Sequence, residues 1–394
     1  MESISETIEI NQNVSDVNQL IEKLNPYDTL VFSGIQVYTD SLFIGKPLTV
    51  IGRRQASIIG NARNHIVIVK SDDVSIIGMN ISNSGISYVQ DRSGVKVDSS
   101  SNFLFEGNTV ENCMFALHAS ASDSLTIRGN KITGEAEREA SSGNGIHLWY
   151  CKNVTISDNI IKHQRDGIYF EFVSEISVHN NYSANNLRYG LHFMFSHNAE
   201  YAGNIFENNG SGVAVMYTKN IKMHDNIFKL NQGSASYGIL LKDISKSEIR
   251  NNTFLNNTTG IFLDGGGDIL FEQNDFKSNG WALKINANTE NNTFTQNNFI
   301  GNTFDVSTNS SSSSNTFYRN FWDKYTGYDL NRDGIGDVRY HPVRLFSYLI
   351  VNNPSFLILL HSFFINLLDL AENLIPTLTP ESVFDSQPLL EPAS

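Results

Sequence analysis

Three side chains set the chemical question. His192 and Met194 lie in YGLHFMFSHN, residues 189 to 198, and Met216 lies in GVAVMYT. Imidazole and thioether donors together suit a soft metal, above all copper in its reduced state. In the first stretch Leu191, Phe193 and Phe195 alternate with His192, Met194 and Ser196. A strand hides one face and shows the other, so hiding the apolar face displays an imidazole beside a thioether. His147 and His118 are further imidazole candidates upstream. A second candidate site is harder in character. DLNRDGIGD, Asp329 to Asp337, places oxygen donors at its positions 1, 3, 5 and 9 (Asp329, Asn331, Asp333, Asp337) and Gly334 at position 6. That is the front half of an EF-hand-type calcium loop, with Tyr340 where a bidentate Glu is expected. A plain Asp/Asn/Gly turn network explains the same residues, and both readings stay open.

These groups need a scaffold that repeats. Blocks such as NFLFEGNTV, SLTIRGNKI, NVTISDNII, NIKMHDNIF and ILFEQNDF each carry an apolar residue three places before an Asn. The Asn are 80, 108, 130, 159, 181, 204, 226, 252, 274, 297 and 320, usually 22 to 23 residues apart. That step is one coil of a parallel β-solenoid, with Asn suited to a tight turn and to a ladder of like amides. Longer steps place their extra residues between the Asn and a later Gly, which predicts insertions along one edge of the solenoid.

Aligning coils on that Gly or Ala gives a wholly apolar next column: Val95, Leu117, Ile146, Ile168, Leu191, Val213, Ile239, Ile261 and Leu283. It must face the core. The following column then points outward and reads Lys96, His118, His147, Tyr169, His192, Ala214, Leu240, Phe262, Lys284. The next outward one includes Trp149, Glu171, Met194, Met216 and Lys242. Stacked coils lie about 4.8 Å apart, so this register predicts Met194 and Met216 on adjacent rungs. A buried Met is more often a core filler, and Met223, three before Asn226, falls in the inward column.

The expected fold is all-β, a right-handed parallel β-helix over residues 26–321. Residues 1–25 form an N-terminal cap whose helix starts at an N-cap Ser15. An Asp/Asn/Gly loop occupies 322–341, and a helical tail 342–394. Neither apolar run of the tail reaches the roughly 20 residues that span a bilayer. Two short helices with wide apolar faces fit it better, docked on the solenoid end or on a membrane-embedded partner. The net charge of −13 argues against nucleic acid. Cys113 and Cys151 align to different points of the coil, so a disulfide is not expected. The opening MESISETIEI has no apolar leader segment, which suits either a cytosolic protein or a mature form.

RDGIYFEF, LRYGLHFMFSHN, GVAVMYTKNI, NFWDKYTGYDLNRDGIGDVRYHPV and NLLDLAENLIPTLTPES together resemble the NosD family of copper-site maturation proteins for nitrous-oxide reductase. The resemblance runs from about Asp28 to Pro392. It implies a periplasmic, exported, non-enzymatic accessory protein that works with an ABC-type ATPase and a membrane subunit, NosF and NosY. Copper, expected as Cu(I), would come from a donor chaperone and go to apo nitrous-oxide reductase. The rival class is a carbohydrate-active β-helix (a lyase, epimerase or hydrolase) using Tyr169, Glu171, Asp166, Arg165 and Lys242 for acid/base work. A passive adhesin-like solenoid is a third class, and it leaves the tail unexplained.

Overall fold

The chain coils because each short apolar block ends in a tight left-handed turn, most often at an Asn, Asp or Gly. A computed structural model describes residues 5–12, 16–87, 89–310, 313–360, 362–374 and 382–393. It divides into two units, Met1–Gly210 and Ser211–Ser394.

In the first unit the sheet begins before the capping helix. Thr7–Ile10 pairs in parallel with Thr29–Phe32, within the stretch expected to be cap alone. The helix is Val17–Lys23; Ser15 lies outside the described residues, and Asp16 caps it, Oδ1 accepting from Asn18 N at 3.0 Å and Gln19 N at 3.2 Å. Each later coil is built from short strands such as Asp166–Glu171, Ser174–His179 and Tyr182–Ala184. All pair in parallel with the next coil at the register the sequence alignment predicts, Ile168 opposite Leu191 and Tyr169 opposite His192. The core column from Val95 to Leu191 is fully buried. The glycine before it is forced by proximity: a Cβ at Gly145 would lie 2.5 Å from the Gly167 carbonyl oxygen.

The Asn ladder is present, with two corrections. The left-handed turn residue is the one before the Asn, as at Asp158 (φ 57°) and Asn180 (φ 57°). The Asn serves the ladder itself: Asn108, Asn130, Asn159 and Asn181 each donate backbone N–H and Nδ2 to Oδ1 of the next Asn, Asn181 to that of Asn204. Asn80 is not a member. The ladder place belongs to inward Met79, whose N–H donates to Asn108 Oδ1 at 2.9 Å.

The second unit repeats the plan with larger core side chains. Phe228, Phe254, Phe276, Phe299 and Trp322 stack face to face at 4.9, 4.9, 4.9 and 4.0 Å. Its Asn ladder runs 226, 252, 274, 297, 320. Asn320 donates its N–H (3.1 Å) and Nδ2 (2.9 Å) to Oδ2 of Asp385, a buried carboxylate that also accepts from Trp322 Nε1. A second ladder through Asn231, Asn257, Asn279 and Asn302 escaped the sequence reading.

The tail holds helices Leu345–Asn352 and Phe363–Leu374, joined in part by the 3-10 turn Pro354–Leu359. Phe346 and Ile350 pack on Phe304 of a late coil, with Ile365 and Leu368 against them. The opposite stripe of the last helix, Phe363, Leu367 and Leu370, is exposed. Among the described residues no helix is long and apolar enough to cross a membrane.

Candidate metal-binding face

Parallel register lines up one outward residue per coil, so a row of like side chains becomes a row of contacts. Lys96, His118, His147, Tyr169 and His192 are successive register partners. Their rings touch in order: His118 to His147 at 4.6 Å between centroids, His147 to Tyr169 at 4.7 Å, and Tyr169 to His192 at 5.0 Å. Tyr169 therefore bridges the imidazoles of His147 and His192. Phe115 flanks His118 and His147, and Tyr189 flanks His192 at 4.7 Å.

This lateral packing corrects the expectation of an openly displayed row. His118 and His192 are only 7% and 5% exposed. They point away from the cylinder core, yet neighbouring rings shield them from water. Burial is the main cause that lowers the pKa of His118 to about 2 and of His147 to about 4, with nearby positive groups adding to it. Both imidazoles are thus neutral at ordinary pH, the form that binds metal. Burial likewise pushes Tyr169 up to about 12, and its hydroxyl donates to Glu171 Oε2 at 3.3 Å.

The row carries unspent polar atoms. His118 Nδ1, both ring nitrogens of His192 and both carboxylate oxygens of Asp166 are buried without a hydrogen-bond partner. Buried polar atoms are rarely left so, and a cluster of them fits a site awaiting a ligand. Asp166, fully buried, has Arg188 Nε at 3.5 Å, Arg165 Nε at 3.8 Å and His192 Nδ1 at 3.9 Å. The sequence reading placed Asp166 only among acid/base candidates and missed it as a neighbour of His192. The available signal was an acid one place before the turn glycine in RDGIYF.

Met194 ends the strand Tyr189–Met194, opposite Glu171, and is half-buried outside the core. Met216 ends Ser211–Met216 of the second unit, opposite Lys242, and is also half-buried. Met223 is a core filler, as predicted. Among the described residues no three His, Cys, Asp or Glu converge as a ready ligand set. What the row offers is single imidazoles with a thioether nearby, which fits a soft, low-coordinate ion better than a closed tetrahedral zinc site. Cys113 and Cys151 are free, buried and pushed to about 11 by desolvation, so they stay thiols rather than thiolate ligands.

The turn after this row holds a second stack. Tyr150, Phe172 and Phe195 all adopt positive φ, lie partly exposed, and stack at 4.7 and 5.2 Å. Bulky residues pay for that backbone conformation, so their repetition marks a feature the period-two pattern hid.

The Asp329–Asp337 loop closes on its own backbone. Asp329 accepts from the N–H groups of Arg332, Asp333 and Gly334, Asn331 from Asp333, Asp333 from Ile335, and Asp337 from Leu330. Tyr340 packs its ring against Trp322 at 5.2 Å, so position 12 braces the last coil and offers no carboxylate.

The class of protein that emerges is a parallel β-solenoid whose first unit carries a shielded row of imidazoles, two of them, His118 and His147, held neutral by burial, with the Met194 thioether two residues beyond His192 on the same strand. A sequence model described as "Periplasmic copper-binding protein (NosD)" matches residues 129–329, and the chain belongs to that family. Two relatives called "Probable ABC transporter binding protein NosD" are similar over 90% of this chain. That from Pseudomonas aeruginosa is 28% identical with 86% of its length covered; that from Stutzerimonas stutzeri is 25% identical with 85% covered. Among solved structures, the family 28 exopolygalacturonase of Yersinia enterocolitica superposes with a TM-score of 0.64 at 11% identity, covering 79% of this chain and 78% of that one. The surface adhesin PfbA of Streptococcus pneumoniae gives 0.52 at 12% identity, covering 77% and 85%. These two likenesses bear on the fold alone.

Proposed function

We propose that this protein carries Cu(I) on the face around His192 and Met194 and delivers it for assembly of the copper site of nitrous-oxide reductase, without catalysing a reaction. The carrying observation is the buried imidazole of His192, without a hydrogen-bond partner, at the end of a row in which burial favours the neutral form of His118 and His147. Neutral imidazole and thioether bind reduced copper without strong charge and so can exchange it. His147 and His118 extend the row upstream, and Met216 is a further thioether donor on the second unit. A periplasmic donor chaperone supplies the metal and the apo reductase receives it.

The exposed stripe Phe363, Leu367 and Leu370 supports docking of the tail on the membrane subunit of an ABC-type transporter, NosY, driven by its ATPase, NosF. Its other face is committed to Phe304 and Phe346, which leaves the outer stripe for a partner. Calcium in the Asp329, Asn331, Asp333, Asp337 loop would serve only to stiffen the junction to the tail.

The test is a competition titration with a Cu(I) chelator. His192→Ala with Met194→Leu should weaken Cu(I) binding at least about tenfold, or about 1.4 kcal/mol. Unchanged affinity in that double variant, with its thermal unfolding intact, overturns the proposal.

A further inference from the structure

Two successive coils place a polar residue one position before the turn glycine, Asn144 before Gly145 and Asp166 before Gly167. Each faces an imidazole of the row. Asn144 Nδ2 donates to His147 Nδ1 at 2.9 Å. An amide N–H can only donate, so this contact makes Nδ1 the acceptor and leaves the proton of His147 on Nε2. Asp166 presents the opposite chemistry. An ionised carboxylate only accepts, and its Oδ2 lies 3.9 Å from Nδ1 of His192, neither side chain having a hydrogen-bond partner at this separation.

We propose that Asp166 is a positioning residue for His192. Its carboxylate takes the Nδ1 proton of His192 into a hydrogen bond and so presents Nε2, unprotonated, to the metal. The inference rests on the copper reading of this face and sharpens it: His192, not His147, is the imidazole whose Nε2 lone pair is free. Metal-bound histidines typically hand their other N–H to a carboxylate or carbonyl, which fixes the tautomer and the ring orientation. Here the geometry needs less than about 1 Å of closure to reach hydrogen-bond distance. A buried carboxylate also needs compensating charge, and Arg188 and Arg165 supply it at 3.5 and 3.8 Å. Arg188 lies nearest Oδ1 and Arg165 nearest Oδ2, the oxygen that also faces His192 Nδ1, and all three distances exceed hydrogen-bond length, which leaves the lone pairs of Oδ2 uncommitted.

The experiment uses the full, metal-free chain with nitrogen-15-labelled histidine. Long-range proton–nitrogen correlation spectra report which ring nitrogen carries the proton. Wild-type His192 should be protonated on Nδ1 and His147 on Nε2. In Asp166→Asn, which copies the Asn144 arrangement at the next coil, His192 should switch to Nε2–H, and Cu(I) affinity should fall about 10- to 100-fold in the chelator competition. Asn144→Asp is the converse variant and should move His147 to Nδ1–H, which keeps the idea testable if Asp166→Asn fails to fold. An Nε2–H tautomer at wild-type His192 overturns the proposal. So does an Asp166→Asn protein that keeps both the wild-type tautomer and wild-type affinity. If His192→Ala weakens Cu(I) binding while Asp166→Asn does not, the positioning role falls and the copper reading stands. If His192→Ala has no effect, both fall.

Discussion

The outward row reads His118, His147, Tyr169, His192 in the first unit and Ala214, Leu240, Phe262, Lys284 in the second. Backbone, register and the apolar column beside it are the same in both. One scaffold therefore presents imidazoles on some coils and aliphatic, aromatic or cationic side chains on others, and only the residue types at this column differ. The second unit invests instead in its interior, where the Phe228-to-Trp322 stack replaces smaller aliphatic fillers. The contrast teaches that a solenoid can specialise coil by coil, because each rung sees only its neighbours.

The contrast can be broken most strongly in the second unit's interior. Phe254, fully buried between two rings, should cost about 3–5 kcal/mol when changed to Ala, read by urea unfolding. A loss below about 1 kcal/mol would mean the stack relaxes and the comparison of interiors fails. Next in size is the difference between rows. His192→Ala should lower Cu(I) affinity at least about tenfold, whereas Leu240→Ala, at the same column, should leave it unchanged. Equal effects would show that the row has no chemistry of its own.

Acid should separate the two units by sign. The pKa of His118 is held far below its ordinary value by burial, so the folded state resists the proton that the unfolded chain accepts. Its stability contribution is complete above pH 6.5 and declines as pH falls below that, by up to about 1.4 kcal/mol per unit. Asp305 of the second unit is raised to about 6, mainly by burial and despite Lys324 Nζ at 3.3 Å. Its contribution is complete below the ordinary carboxylate range and is lost as pH rises through about 6. Stability of the metal-free protein should thus fall less steeply below pH 6.5 in His118→Gln, and Asp305→Asn should gain most above pH 6. Calorimetric scans across pH 4 to 8 check both slopes. The smallest effect belongs to the cysteines. Cys151→Ser should shift Cu(I) affinity by less than about twofold, since a thiol held near 11 is a poor ligand; a larger loss would bring that thiol into the site.

Coil length, the inward column and the register of the outward row were all legible, because a period of 22 to 23 residues and a glycine anchor fix them together. Depth was not. Whether His192 stands in solvent or under Tyr189 depends on lateral ring packing that no single coil reveals. Asp166 opens its strand, where Asp166, Gly167 and Ile168 are all buried and alternation does not report direction, so its approach to His192 was beyond a period-two argument. The Asn were read correctly as a ladder, yet the left-handed residue proved to be the one before them, a choice that only backbone angles disclose. Asn80 shows the same limit: one place off register, it looks identical in sequence and plays no part.

The side-chain amides give each coil stack a polarity. Every rung passes two N–H groups forward and needs an oxygen ahead, so any final coil is an open socket into which a foreign first coil could plug. Asp385 closes that socket with the chain's own far end, and having oxygens alone it offers no N–H pair to pass forward. The carboxylate is thus a terminator: it ends the row of amides where an asparagine would have invited another molecule to continue it into a fibre.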